Sequence, residues 1–392
     1  MKKDLAILGT RGIPARHGGF ETFAERLALY LVKQGWRVTV YCQADTAENL
    51  CEVDEWKGVR RVTISTNAPG AWGTMAFDFK AVRHVIEARP DVVLTLGYNT
   101  AVFSSWLRLS GINNIFNMDG LEWQRIKWSA PAKVWLWLNE RIGCLVGNHL
   151  IADHPSIADH LATRVSRKKI TTIVYGADRA TRDLQHSVLS KYDLAGLPYG
   201  ILIARPEAEN SILEIVTAFS QRRRQAKLMV LGSYNGQQNA YHQRVLDAAS
   251  EEVIFPGAIY DHAAVSALRA NARFYLHGHQ VGGTNPSLVE ALGAGCAVIA
   301  HNNRFNRWVA GDSAKFFSTV EECNACISEL LDDDELVDRL SSASVKRFEE
   351  EFQWNKILTE YERLLEKYTR RYPKYAVQPG RAEGALPEGD EM

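Results

Sequence analysis

Two stretches of this 392-residue chain place glycines where a helix begins, and that arrangement can bind anions. The first is GTRGIPARHGGFETF, residues 9–23, where Gly18 and Gly19 stand just ahead of Phe20, Phe23, Ala24, Leu27 and Leu31 at helical spacing. Bare backbone at the positive end of a helix lets free N–H groups approach a phosphate. Gly9, Gly12, Gly18 and Gly19 do not have the GxGxxG spacing of a dinucleotide turn, and the loop is too long for one. The second stretch is HGHQVGGTNPSLVEALGAG, residues 277–295. Thr284 or Asn285 can cap a helix that opens at Pro286, and Gly282 and Gly283 leave room for a ligand.

Backbone at Gly283, Thr284, Asn285 and Ser287 would therefore make a second anion cradle. Glu290, three residues beyond Ser287, shares its helix face. A carboxylate so near an anion suits hydroxyl groups, such as those of a ribose, better than it suits a phosphate. A third stretch, NMDGLEWQRIKW at 117–128, offers the carboxylates of Asp119 and Glu122 with Trp123, Arg125 and Lys127 beside them, although Asp119 before Gly120 also reads as a plain turn. Arg205 ends an apolar run in the second half and could pair with a phosphate. His277 and His279 lack a third ligand at zinc spacing.

The elements that must position these residues read as alternating strands and helices. Strands are expected at 5–8, 37–42, 59–65, 91–96, 114–118, near 150–151 and at 170–174, then at 199–204, 227–231, 253–255, 274–277 and 297–300. The fold class is α/β, with two doubly wound domains. Residues 1–178 form the first, 179–187 a linker and 188–353 the second. An amphipathic helix falls within 354–372, and residues 373–392 read as a mobile tail. Each candidate stretch follows a strand, where open parallel sheets collect ligands.

Lysine plus arginine and aspartate plus glutamate both number 46, so no global charge favours nucleic acid. The amino-terminal apolar run is too short for a secretion signal, and no stretch approaches a membrane span. Six scattered cysteines read as reduced cytosolic thiols, and Cys323 and Cys326 as a lone CxxC in a helix. Asp332, Asp333 and Asp334 read as a helix-capping run and not a metal site. Trp106, Trp123, Trp128, Trp135 and Trp137 interleave with Arg108, Arg125, Lys127, Lys133 and Arg141, a pattern that seats sugar chains, touches anionic membrane or packs a core.

Taken together, GTRGIPARHGGFETF, MDGLEWQRIKW, ARPEAENSILEIV and HGHQVGGTNPSLVEALGAG resemble the family-4 retaining glycosyltransferases of the GT-B fold, and within them the bacterial β-1,4-rhamnosyltransferase type. The resemblance implies two Rossmann-like domains facing a cleft, with the first on the acceptor side and the nucleotide-sugar on the second. It implies that Gly18, Gly19, Arg205, Gly283, Thr284, Asn285 and Ser287 hold the donor diphosphate and that Glu290 holds the ribose. Asp119 and Arg205 would be catalytic, with Glu122, Trp123 and Arg125 positioning the acceptor or sugar. No metal or other cofactor is implied. The acceptor would be a saccharide or a lipid-diphosphate-linked oligosaccharide, the location cytoplasmic, with peripheral contact to the inner membrane surface.

Two positions depart from the broader family. Its paired-glutamate motif would place its first member at Gly282, and its usual lysine is here Asn210, preceded by Glu209. The competing expectations are a UDP- or GDP-hexose donor, a nucleotide-sugar 2-epimerase and a non-catalytic nucleotide-sugar-binding subunit.

Overall fold

The computed structural model describes residues 2–15, 18–44, 51–66, 68, 70–180 and 186–369. Eight strands form the first sheet: β1 (Asp4–Leu8), β2 (Arg37–Ala44), β3 (Cys51–Trp56), β4 (Val59–Ser65), β5 (Val92–Leu96), β6 (Asn114–Asn117), β7 (His149–Ala152) and β8 (Ile170–Thr172). Their order is β3-β4-β2-β1-β5-β6-β7-β8. The run VVLTL of β5 is buried at every position, because helices cover both faces of the sheet there.

The second sheet holds β9 (Tyr199–Ile203), β10 (Lys227–Leu231), β11 (Val253–Gly257), β12 (Phe274–His277), β13 (Ala297–His301) and β14 (Ala314–Phe317). Its order, β11-β10-β9-β12-β13-β14, is the Rossmann order, with the crossing point between β9 and β12. All of its neighbouring strands run parallel.

Two strands escape the sequence reading. CEVDEW forms β3, an edge strand antiparallel to β4, joined through Lys57 and Gly58 at φ 50° and 81°. Both signs fit a type I′ hairpin turn. Its charged residues gave no apolar run to detect. AKFF, β14, was too short to stand out beside the helices around it.

The helix Trp354–Tyr368 returns to the first domain, and its apolar stripe completes that domain's core. Trp354, Ile357, Tyr361 and Leu365 pack with Leu5, Phe23, Leu27 and Leu94, and the Phe23 and Tyr361 ring centroids lie 4.6 Å apart. Glu362 fixes the helix further, accepting from the Trp36 indole at 3.1 Å and the Tyr30 hydroxyl at 2.9 Å. Of the linker, Ala180 donates its N–H to the Gly293 carbonyl at 3.0 Å, while residues 181–185 and the expected tail at 373–392 lie outside the described residues.

Cys323 and Cys326 are buried free thiols. Asp333 caps the helix Asp334–Glu351, its carboxylate accepting from Leu336 N–H at 2.8 Å. Trp354→Ala should leave a void in the first domain's core and lower stability by about 3–5 kcal/mol. A urea titration measures this, and an unchanged midpoint would mean that the helix is not part of that cooperative unit.

Candidate functional site

The carboxyl ends of both sheets face a cleft that closes on a cavity of about 260 Å³. Each wall is a loop that a strand has just released. Gly19 and Phe20 come from the loop after β1, Asp119 to Arg125 from that after β6, and Asp153 from that after β7. Arg205 follows β9, and His279 to Pro286 follow β12.

Glycine allows the two domains to meet. A Cβ added at Gly120 would lie 3.4 Å from the Gly282 Cα, so two turns touch backbone to backbone across the cleft. Asp119 precedes that contact at φ 51°, a left-handed conformation costing on the order of 1–3 kcal/mol in a residue with a side chain. Asn117 supports it by accepting the Asp119 N–H at 3.1 Å. The strained backbone leaves the Asp119 carboxyl in the cavity wall.

Burial, reinforced by the charge of Glu122, raises that carboxyl to about 6, against the opposing pull of the Gly120 N–H, Arg125 and Arg205. A second carboxyl, which the sequence reading passed over, lines the same cavity. Asp153 Oδ2 accepts the Thr284 N–H at 2.9 Å, and the Asp153 carbonyl accepts the Thr284 hydroxyl. Its Oδ1 is shut off from solvent and has no partner among the described residues. A Cβ on Gly283 would stand 2.1 Å from Oδ1, so only glycine admits this approach. Burial, then the nearby Asp119, raises Asp153 to about 7, opposed by the Thr284 N–H.

The cations divide into one engaged and one unpaired. Arg125 binds Glu122 of its own loop at 2.9 Å and, across the cleft, Glu209 at 2.6 Å and Glu207 at 3.2 Å. Burial works to raise the Glu209 carboxyl, yet hydrogen bonding to Arg125 holds it below the usual range. Arg205 is exposed, lines the cavity and forms no ion pair with a described residue. Asn210 gives its side-chain amide to the Arg205 carbonyl at 2.8 Å, so it shapes the turn that presents Arg205. His277 and His279 stack with ring centroids 4.5 Å apart, and burial lowers both, His279 to about 3.

The cavity thus gathers Gly19, Asp119, Glu122, Arg125, Arg205, Gly283, Thr284 and Asn285. Four residues expected there stand elsewhere. Gly18 is exposed at the start of the helix Gly19–Lys33. The Ser287 hydroxyl is turned to Tyr275 and the Ile203 carbonyl. Glu290 is ion-paired with Arg269 at 2.5 Å and lines a neighbouring cavity of about 420 Å³, separated from the first by Tyr175. Trp123 packs in the first domain's interior and donates its indole N–H to buried Glu140 at 2.7 Å. Its sequence neighbours face the cleft, but its ring belongs to the core. Asp153 had only one signal, its place at a strand end before Pro155, and Tyr361, whose hydroxyl accepts from Asn117 at 2.8 Å, had none.

Residues 197–347 match the family model described as Glycosyl transferases group 1, and residues 2–178 match a Domain of unknown function (DUF1972). The fold is GT-B, and its second domain is of the glycosyltransferase group 1 type. Sucrose-phosphate synthase from Thermosynechococcus elongatus is similar over 93% of this chain and 99% of its own, with a TM-score of 0.80 at 17% identity. HepE from Anabaena, solved in complex with UDP-glucose, covers 94% and 100% at TM-score 0.73 and 14% identity. An α,α-trehalose-phosphate synthase from Burkholderia xenovorans, in complex with glucose-6-phosphate, covers 93% and 100% at TM-score 0.70 and 12% identity. No curated protein matches the chain in sequence.

Asp119 and Asp153 hold protons more tightly in the folded protein than in its unfolded chain, where a carboxyl titrates near 3.9. Their contribution to stability is fully present below that value and is lost as pH rises through about 6 and 7. Asp153→Asn keeps an acceptor for Thr284 without the charge. Its melting temperature at pH 8 should exceed wild type by about 1–4 °C, with a flatter dependence between pH 4 and 8. A lower value at pH 8 would mean that the ionised form ties the domains together.

Proposed function

We propose that the protein is a retaining, family-4 type glycosyltransferase that takes a sugar from a nucleotide-sugar and adds it to a saccharide or lipid-diphosphate-linked acceptor in bacterial surface polysaccharide synthesis. L-rhamnose from dTDP-L-rhamnose is the preferred donor, on the resemblance to the β-1,4-rhamnosyltransferase type alone. The observation that carries the reading is a cavity lined by an unpaired arginine of the second domain, Arg205, and by carboxyls of the first, Asp119 and Asp153. The guanidinium suits a diphosphate, and the carboxyls suit sugar hydroxyls.

Cleaving the sugar–phosphate bond gathers negative charge on the departing diphosphate and positive charge on the anomeric carbon. Donors already aimed at the phosphate stabilise that change without reorganising. Arg205 fills this role, and no metal is invoked. Asn210 stands where the broader family has a lysine and supports Arg205 from behind, which leaves the guanidinium as the principal cation. Arg205→Ala should lower kcat by about 10²–10³, and Arg205→Lys should restore part of it. Full activity in Arg205→Ala would reject the phosphate assignment.

A panel of dTDP-rhamnose, UDP-glucose, UDP-galactose, UDP-N-acetylglucosamine and GDP-mannose tests the donor by saturation-transfer NMR. Selective engagement of dTDP-rhamnose supports the preferred donor, preference for another sugar replaces it, and binding to none rejects the transfer reading. The proximity of Asp119 and Asp153 favours one second reading, acid–base epimerisation of a nucleotide-sugar. Conversion of a UDP-sugar without acceptor would support it.

The surface of the first domain supports peripheral membrane contact as part of this proposal. Leu109, Trp135, Trp137, Leu138 and Leu145 are exposed along two neighbouring helices, and the Arg141 guanidinium lies 3.4 Å from the centroid of the Trp137 ring. Apolar rings with cations among them suit an anionic lipid surface. No helix among the described residues is long and apolar enough to cross a membrane. Sedimentation with phosphatidylglycerol vesicles at low salt should carry the protein into the pellet, and Trp137→Ser with Leu138→Ser should release it. Wild type remaining in the supernatant would reject the contact.

A further inference from the structure

A smaller cavity opens beside the central one, with a volume of about 150 Å³, the scale of a single sugar ring. It lies beyond the carboxyl ends of β1 and β5, against the helix Gly70–Ala88. Its described lining runs from Leu8 to Ser104, so the second domain contributes nothing to it. Phe20 lines both cavities and forms the wall between them.

Asp78 reaches into this space from the helix Gly70–Ala88. Thr100 donates its hydroxyl to Asp78 Oδ2 at 2.7 Å, while Oδ1 takes no hydrogen bond from a described residue and no cation stands on either oxygen. Burial pushes this carboxyl up to about 6, with the Thr100 bond opposing the rise. Asp78 is half-buried at the wall of this space with no cation to balance it, an arrangement that adds nothing to the fold, so folding alone does not account for it. Arg11, Gln43 and Asn99 also line the cavity, and their side chains have no partner among the described residues. Glu21 contrasts with them, because its carboxylate is occupied by the Arg11 N–H at 3.0 Å and the Thr10 hydroxyl at 3.4 Å.

A carboxylate, two amides, a guanidinium and an aromatic wall supply the acceptors, donors and apolar face that a polyhydroxylated ring requires. We infer that this cavity seats the terminal sugar ring of the acceptor, with Asp78 accepting from one hydroxyl and Phe20 bordering the side from which another faces the central cavity. The inference rests on the glycosyl-transfer reading above.

Saturation-transfer NMR of the full chain with methyl glycosides of glucose, galactose, mannose, rhamnose and N-acetylglucosamine tests it, beside titrations with dTDP-rhamnose and UDP-glucose. At least one glycoside should receive saturation from wild type, and Asp78→Asn should weaken that signal by about tenfold, the loss of one hydrogen bond to a charged group. Asn99→Ala, on an exposed residue, should weaken it as well. Asp78→Asn removes a half-buried charge that has no cation beside it, so its melting temperature should equal or exceed wild type, which separates lost binding from lost folding. Glycoside saturation undiminished in both variants would overturn the subsite. So would its absence from a wild type that binds either nucleotide-sugar. Glycoside binding through Asp78 without nucleotide-sugar binding would uphold a saccharide site and reject the transfer reading.

Discussion

The cleft depends on one guanidinium. Arg125 faces carboxylates from both domains, Glu122 on its own side and Glu207 and Glu209 on the other, and this cluster fixes how closely the sheets approach. Taking such charges out of water is unfavourable, and the geometry repays it only while every partner stays in place. Loss of the arginine would leave three carboxylates facing one another at low exposure. The touching turns at Gly120 and Gly282 and the bond from Thr284 to Asp153 need that same spacing.

Charge is unevenly distributed around the cavity. Asp119, Glu122 and Asp153 line it on the first-domain side, where Arg125 is already neutralised by its partners. Arg205 is the cation left without a carboxylate among the described residues of the lining. On the proposed reading this asymmetry orients the donor, since a diphosphate is repelled by the carboxyl side and attracted to Arg205. Hydroxyl groups have the reverse preference. One ligand orientation therefore follows from the arrangement of charges, before shape is considered.

Local pattern made much of the architecture legible. The apolar run at 91–96, the glycine turns before two helices and the residues following each strand all carry their meaning within a few positions. Contacts made across the cleft carry no such signature. Asp153 becomes prominent only because Gly283 of the other domain lies against it, and Tyr361 only because a helix from the end of the described chain crosses back. Trp123 misled for the converse reason, since a 3₁₀ turn at Glu122–Gln124 directs its ring inward while Glu122 faces the cleft. Asn210 looked like a deficit of charge in the sequence, and its role in holding the Arg205 carbonyl appears only when both ends of the loop are seen together.

The returning helix also sets an order of events during synthesis. The first domain's core includes Trp354, Ile357, Tyr361 and Leu365, which leave the ribosome only after the whole second domain has been made. At about 5–20 residues per second, the first sheet waits roughly 10–40 s for the side chains that fill it. Tyr361 also walls the central cavity, so a nascent chain has no finished site for most of its translation. The domain that begins first is completed last.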